Sequence, residues 1–178
     1  MFLFSCNENN SKTVNQLVKM PVKYVSETFT SDSLEYETFL PKNWKLVEST
    51  YSETESFESF TDPKDADGIF SSITVSKYQS SENDLAKESR RIQIANPLPT
   101  ELERIASGKS NIIKTAYYEH IRSTKHAEYA VEMVSFLLKG KEANTFYSIT
   151  LSVPKDKDFD LNMSVLLKCT SQFKFIEP

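Results

Sequence analysis

The chain has 178 residues, a formal net charge of −4 and a pI near 5.3. Its length fits one domain with room for a tether. Lysine and arginine are scattered, which argues against a nucleic-acid-binding protein with its usual basic patch, and no apolar run reaches the ~18–20 residues that a membrane-spanning helix needs.

The N-terminus is apolar up to Cys6 and polar immediately after it. The pattern Leu-x-Ser-Cys at Leu3–Cys6 resembles the lipobox of bacterial lipoproteins. That resemblance implies that Cys6 carries a lipid and holds the protein to a membrane of the cell envelope. Only five residues precede Cys6 and none is basic, whereas a secretory signal has a basic start and an apolar region of about 7–15 residues. Two explanations stay open: the true start codon lies further upstream, or Cys6 is an unmodified cysteine.

Three regions follow from this reading. Residues 1–6 are a signal remnant with the lipobox, residues 7–32 are a flexible tether rich in Asn, Ser, Thr and Lys, and residues 33–178 are an α+β domain. As a flexible coil the tether would reach about 25–30 Å. A short strand near residues 22–28 is the one element expected inside it.

The first half of the domain reads as strands followed by helices. The residue patterns predict strands over residues 34–40, 53–60 and 69–78, and residues 44–47 follow the turn after the first of them. Ser81 is then expected to cap a helix that stops at Asn96-Pro97, and the capping box Thr100–Glu103 predicts a second short helix that ends at Gly108.

The second half reads as three long strands and a helix. The strands are expected over residues 111–122, 127–138 and 144–153, and their short turns imply antiparallel pairing. Asp156 or Asp158 is expected to cap a last helix that runs to about Ser171 with one apolar face. The whole pattern predicts an α+β fold.

Several landmarks resemble the PsbP-like (PsbP/Mog) family over residues 34–178. They are Leu40-Pro41-Lys42-Asn43-Trp44, Phe60-Thr61-Asp62-Pro63, the segment Gly68–Val75, the strand Tyr147–Pro154 and the ending Ser171–Phe175. The resemblance implies a central antiparallel sheet of about six strands sandwiched by helices. It also implies a binding or scaffold module with no shared catalytic centre and no cofactor.

The residues that could support catalysis are few. His120 and His126 are the only histidines, and with Glu128 they form a weak candidate metal set, because catalytic zinc usually takes three protein ligands. Surface histidines on a solvated sheet face are the favoured interpretation. Cys169 is expected to be a buried apolar group on the last helix. If Cys6 is not lipidated, a Cys6–Cys169 disulfide stays open.

The chain is rich in aromatic residues, with 12 Phe, 8 Tyr and one Trp. Trp44 is expected to anchor the core or a sheet edge, and Tyr117, Tyr118 and Tyr147 could line a groove for a partner. Cross-strand packing is the favoured role of the tyrosines.

The sequence therefore predicts a non-catalytic, lipid-anchored protein of the cell envelope. Its partners would be the membrane, through lipid on Cys6, and an unknown protein or small ligand, but not nucleic acid. A soluble binding module without the lipid, and a metal-assisted hydrolase using His120, His126 and Glu128, are the alternatives.

Overall fold

The computed structural model describes residues 12–62, 71–124 and 130–176. Within these ranges the chain is an α+β domain, as the sequence predicts. Its elements are α1 (Val14–Val18), β1 (Ser26–Ser31), β2 (Tyr36–Pro41), β3 (Lys45–Thr50), β4 (Glu55–Thr61), β5 (Ser72–Gln79), α2 (Leu85–Ala95), β6 (Leu102–Lys109), β7 (Tyr117–Ser123), β8 (Val131–Lys139), β9 (Thr145–Pro154), α3 (Phe159–Thr170) and β10 (Lys174–Phe175).

A large antiparallel sheet forms the centre of the described structure. Its seven strands lie in the order β3-β4-β5-β9-β8-β7-β6. β5 and β9 pair in the middle, where Ile73 faces Leu151 and Val75 faces Ile149 across the strands. Successive side chains of a strand point to opposite faces, so the alternating sequence gives the sheet one apolar face and one polar face.

The apolar face, here called the inner face, is covered by α1, α3 and a small sheet of order β1-β2-β10. Large apolar side chains from all these layers form one core, and burying each of them stabilises the fold by roughly 1.5–3 kcal/mol. Its fully buried members include Leu17, Tyr36, Phe60, Val75, Phe136, Leu151, Met163 and Leu167.

The opposite face, here called the outer face, carries serine and threonine along its central strands. Two cross-strand hydroxyl pairs hold it together: Ser59 with Thr74 at 3.0 Å, and Ser135 with Thr150 at 3.1 Å. α2 lies over part of this face and contacts β7 and β8. The side chain of Asp84, rather than the predicted Ser81, caps α2 by accepting a hydrogen bond from the Lys87 backbone N–H at 2.9 Å.

The predicted tether is wrong for residues 12–32. Val14 and Leu17 of α1 are buried in the core, and β1 pairs with β2 along its whole length. The side chain of Thr13 caps α1 in a reciprocal capping box with Gln16. The folded domain therefore begins close to Lys12, while residues 7–11 of the predicted tether lie outside the described residues.

The second predicted helix is also wrong. Residues 102–109 form β6, which pairs with β7 at the edge of the large sheet. β7 itself begins at Tyr117, six residues later than predicted. The residues before it form turns in which Ile113 and Ala116 are buried.

Candidate ligand cleft on the outer face

A cavity of about 460 Å³ lies between α2 and the outer face of the large sheet. This volume is in the range of small-molecule sites, which are usually about 300–1,000 Å³. The lining residues from the sheet include Ser76 of β5, Ser148 and Thr150 of β9, Ser135 and Leu137 of β8, and Tyr117 and Glu119 of β7.

The cleft is polar on its floor and charged at its rim. The floor presents the hydroxyls of Ser76, Ser148 and Thr150, which are half-buried. Arg91 projects from α2 at the rim, and Glu119 on β7 pairs with Arg104 at 3.2 Å. Donors, acceptors and the ring of Tyr117 thus line one half-open cleft, and small-molecule sites use such groups to orient a ligand.

α2 is fixed over the cleft by a buried carboxylate. Glu88 is the one buried side chain of the helix, and it accepts hydrogen bonds from Arg91 (two at 2.7 Å), Tyr78 (3.0 Å) and Ser80 (2.7 Å). The Arg91 guanidinium holds the pKa of Glu88 below its ordinary value, with Ser80 and Tyr78 adding to the effect against burial. Polar contacts, more than apolar packing, therefore attach α2 to the sheet.

The three tyrosines predicted to share a groove do not lie together. Tyr117 and Tyr118 both line the cleft, and the side chain of Tyr118 also packs against the core. Tyr147 is buried on the inner face and its hydroxyl donates to the Leu34 carbonyl at 2.9 Å. Burial raises the pKa of Tyr147. Tyr117 and Tyr118 thus line the cleft, whereas Tyr147 does not.

Trp44 lies at the start of β3, at the other side of the molecule. It is half-buried and packs against the core, as expected of an anchor at a sheet edge. It also lines a cavity of about 220 Å³ together with Lys23, Pro41, Leu161 and Val165.

His120 is not a surface histidine. It is 1% exposed, and its Nε2 lies 2.8 Å from Oε2 of Glu132, which is also buried. The other oxygen of Glu132 lies 3.1 Å from the Lys155 ammonium. Burial raises the pKa of Glu132, but His120 and Lys155 outweigh it and the net shift is downward. His120 therefore belongs to a buried ionic cluster, which is the opposite of the solvated position expected from the sequence.

The other predicted site residues, Cys6, His126 and Glu128, lie outside the described residues. In the ranges that the structure describes, no group of three or more His, Cys, Asp or Glu side chains is arranged to hold a metal ion. Cys169 is a free thiol with no exposed surface, as predicted.

Sequence reasoning missed the buried carboxylates Glu58, Glu88 and Glu132. A signal existed for Glu88, because Arg91 follows it at the i,i+3 spacing of a helical ion pair. The partners of Glu58 and Glu132 come from other strands, so no local pattern marks them.

The fold is similar to that of several solved structures. The Ran-binding protein Mog1p of Saccharomyces cerevisiae has a TM-score of 0.61 at 13% identity, over 87% of this chain and 97% of that one. Cyanobacterial PsbP (CyanoP) of Synechocystis sp. PCC 6803 gives 0.56 at 14%, over 87% and 95%. LpqN of Mycobacterium tuberculosis, described as involved in cell envelope biogenesis, gives 0.53 at 13%, over 88% and 93%.

No protein-family model matches the chain, and no curated protein sequence does. The structural similarity spans nearly the whole of each compared chain and shows a PsbP/Mog-like fold. Within the described residues, no helix combines the length and hydrophobicity needed to cross a bilayer.

Proposed function

We propose that this protein is a non-catalytic binding module of the bacterial cell envelope. Lipid on Cys6 holds it to the membrane, and the cleft under α2 binds a small polar ligand. The observation that carries the binding role is the cleft itself, where hydroxyls from three neighbouring strands and a tyrosine ring line one volume of about 460 Å³. The fold adds support, because structures that share it include a Ran-binding protein and a protein of cell envelope biogenesis.

The non-catalytic role is supported by the partners of two buried carboxylates, Glu88 and Glu132. Glu88 accepts hydrogen bonds from Tyr78, Ser80 and Arg91, and Glu132 is paired with His120 and Lys155. Groups held in this way fix the structure, because their charge is already matched by protein partners. The cleft then recognises its ligand with the hydroxyls of its floor.

The binding role is tested by filling the cleft. Ser148 lies on its floor, so Ser148→Phe places a ring in the ligand volume. Ser152→Phe is a matched control, because Ser152 lies four residues further on the same face of β9 and is not among the residues that line the cavity. Protein purified from the membranes of its source should retain a small molecule in native mass spectrometry. Loss of that molecule in Ser148→Phe alone supports the proposal, and equal retention in both variants contradicts it.

The anchor is tested separately in the source organism. Cys6→Ser should move the protein from the membrane fraction to the soluble fraction, and mass spectrometry of the Cys6 peptide should show a diacylglycerol thioether. An unchanged membrane fraction together with an unmodified Cys6 would remove the anchor from the proposal.

A further inference from the structure

One end of the domain combines exposed lysines with an exposed apolar surface. Residues 12–25 and 41–47 hold five lysines and no Asp or Glu, in a chain whose net charge is −4. All five lysines are exposed. They are Lys12, Lys19, Lys23, Lys42 and Lys45.

The apolar part of this end surrounds Trp44. Trp44, Pro41 and Leu161 line one shallow cavity with Lys23 at its edge, and Leu161 is 45% exposed. Val25 is 65% exposed and lies beside them, since its carbonyl accepts a hydrogen bond from the Lys42 backbone N–H at 2.9 Å. We call the surface formed by Lys23, Val25, Lys42, Trp44 and Leu161 the Trp44 face.

The N-terminal segment enters the domain at the same end. Lys12 pairs with Asp160 in the first turn of α3, one residue before Leu161. Cys6 is six residues before Lys12, so the chain between them spans at most about 22 Å. This upper limit is comparable to the dimensions of the domain itself, whose radius of gyration is about 16 Å for its size. A lipid on Cys6 would therefore hold the Trp44 face close to the bilayer.

We propose that the Trp44 face docks on the anionic surface of the bilayer to which Cys6 is anchored. Tryptophan favours the membrane interface, and lysine can extend its ammonium toward the headgroups while its stem covers apolar surface. Clustered lysines are attracted to anionic lipids. Asp62 and Asp160 adjoin the face, and Asp160 is paired with Lys12. Docking would leave the cleft under α2 open, because the cleft and Trp44 lie on different surfaces of the domain.

The inference rests on the proposed anchor, and its test supplies that anchor chemically. The full chain is coupled through Cys6 to a maleimide lipid in vesicles of phosphatidylcholine and phosphatidylglycerol, since Cys169 has no exposed surface. Trp44 is the only tryptophan in the sequence, so quenching of its emission by brominated lipid reports the docking of this face alone.

We expect quenching that high salt reverses, because the attraction to anionic lipid is screened. Lys23→Glu/Lys42→Glu should lower the docked-to-undocked ratio by about 25-fold or more, since each lysine near an anionic surface contributes about fivefold. Lys109→Glu/Lys114→Glu makes the same change of net charge at the opposite edge of the large sheet. Lys109 ends β6, and Lys114 lies in the turns between β6 and β7. This control should leave the quenching unchanged.

An unquenched Trp44 in the coupled protein would overturn the proposal, and so would equal quenching in the two double variants. Self-association of the chain that Lys23→Glu/Lys42→Glu abolishes, without quenching on vesicles, would assign the face to a second copy and also overturn the proposal. Coupling does not depend on acylation in the cell. Failure here is therefore distinct from failure of the Cys6→Ser fractionation, which tests the anchor.

Discussion

The Glu58 carboxylate shows how one buried residue connects the two sheets. It is 3% exposed and accepts hydrogen bonds from the hydroxyls of Ser31 (2.8 Å), Tyr36 (2.7 Å) and Tyr51 (2.8 Å). Ser31 and Tyr36 belong to the small sheet, whereas Glu58 lies on β4 of the large one. Burial, followed by the contact with Glu58, raises the pKa of Tyr36, which therefore stays a donor throughout the ordinary pH range.

Two tyrosines that bond the same carboxylate make a matched pair of variants. Tyr36→Phe should lower the free energy of unfolding by about 1.5–3 kcal/mol, because it removes a buried hydrogen bond to a charged group. Tyr51 is half exposed, so water can replace its hydroxyl, and Tyr51→Phe should cost under about 1 kcal/mol. Urea denaturation measures both, and equal losses would contradict the role given to burial.

Glu132 gives a prediction that depends on pH. Glu132→Gln leaves His120 and Lys155 without their carboxylate and should cost about 3 kcal/mol near pH 7, as for other broken buried pairs. Because the pKa of Glu132 is lowered in the fold, its contribution is complete above its unfolded pKa of about 4.5 and is lost as pH falls through the folded value. The stability difference between wild type and variant should therefore shrink below about pH 4.5.

Glu119→Gln is the control variant for Glu132→Gln. Glu119 lies on the neighbouring strand and pairs with Arg104 in a partly exposed salt bridge, which is worth under about 1 kcal/mol. A pH-independent gap between wild type and Glu132→Gln would show that the ionised carboxylate is not what stabilises the cluster.

At the scale of elements, α2 is the helix that the fold holds least by apolar contact. Its one buried side chain is Glu88. Glu88→Gln should therefore loosen α2 while the core of the large sheet stays protected. Hydrogen exchange measured by mass spectrometry should show faster exchange over Leu85–Ala95, and Arg90→Gln, an exposed change in the same helix, should not alter it. Uniformly faster exchange across the whole sheet would contradict a local role.

Sequence patterns were sufficient to predict two central strands of the large sheet, β5 and β9. β5 and β9 alternate between polar and apolar residues, and both lie where they were predicted because the sheet has one apolar and one polar face there. β8 has apolar residues on both faces, so its period alone does not tell which side is buried. Val134 and Phe136 face the core, whereas Met133 and Leu137 lie on the outer face.

Two elements, β6 and α1, were mispredicted. In β6 a local helix signal was misleading, and in α1 the local signal was too short. The capping box at Thr100–Glu103 is a local helix signal, but pairing of residues 102–109 with β7 extends the large sheet, and this long-range contact decides the structure. α1 is only five residues long, so its apolar pair Val14 and Leu17 gave too short a pattern to separate from a polar tether. The cleft could not be predicted because its floor comes from residues far apart in the sequence.

At the scale of the whole molecule, the loose PsbP-like landmarks predicted the fold better than they predicted the site. The fold that they imply depends on the apolar core, and structures at 13–14% identity have a similar fold. The outer face has no such constraint, because its serines and threonines can change without disturbing the core. Similar folds can therefore carry different ligands on this face.

Cys169 makes the integrity of the whole core measurable. Its thiol has no exposed surface, and burial raises its pKa to about 12. At pH 8 only about one thiol in ten thousand would be ionised, and the thiolate is the reactive form. In Cys6→Ser, the native protein should therefore take up no maleimide over hours, and the urea-unfolded protein should take up one. Because α3 lies in the core with α1 and β2, labelling should follow global unfolding, with the same urea midpoint as circular dichroism. Labelling that precedes the loss of circular dichroism would show that α3 opens independently of the large sheet.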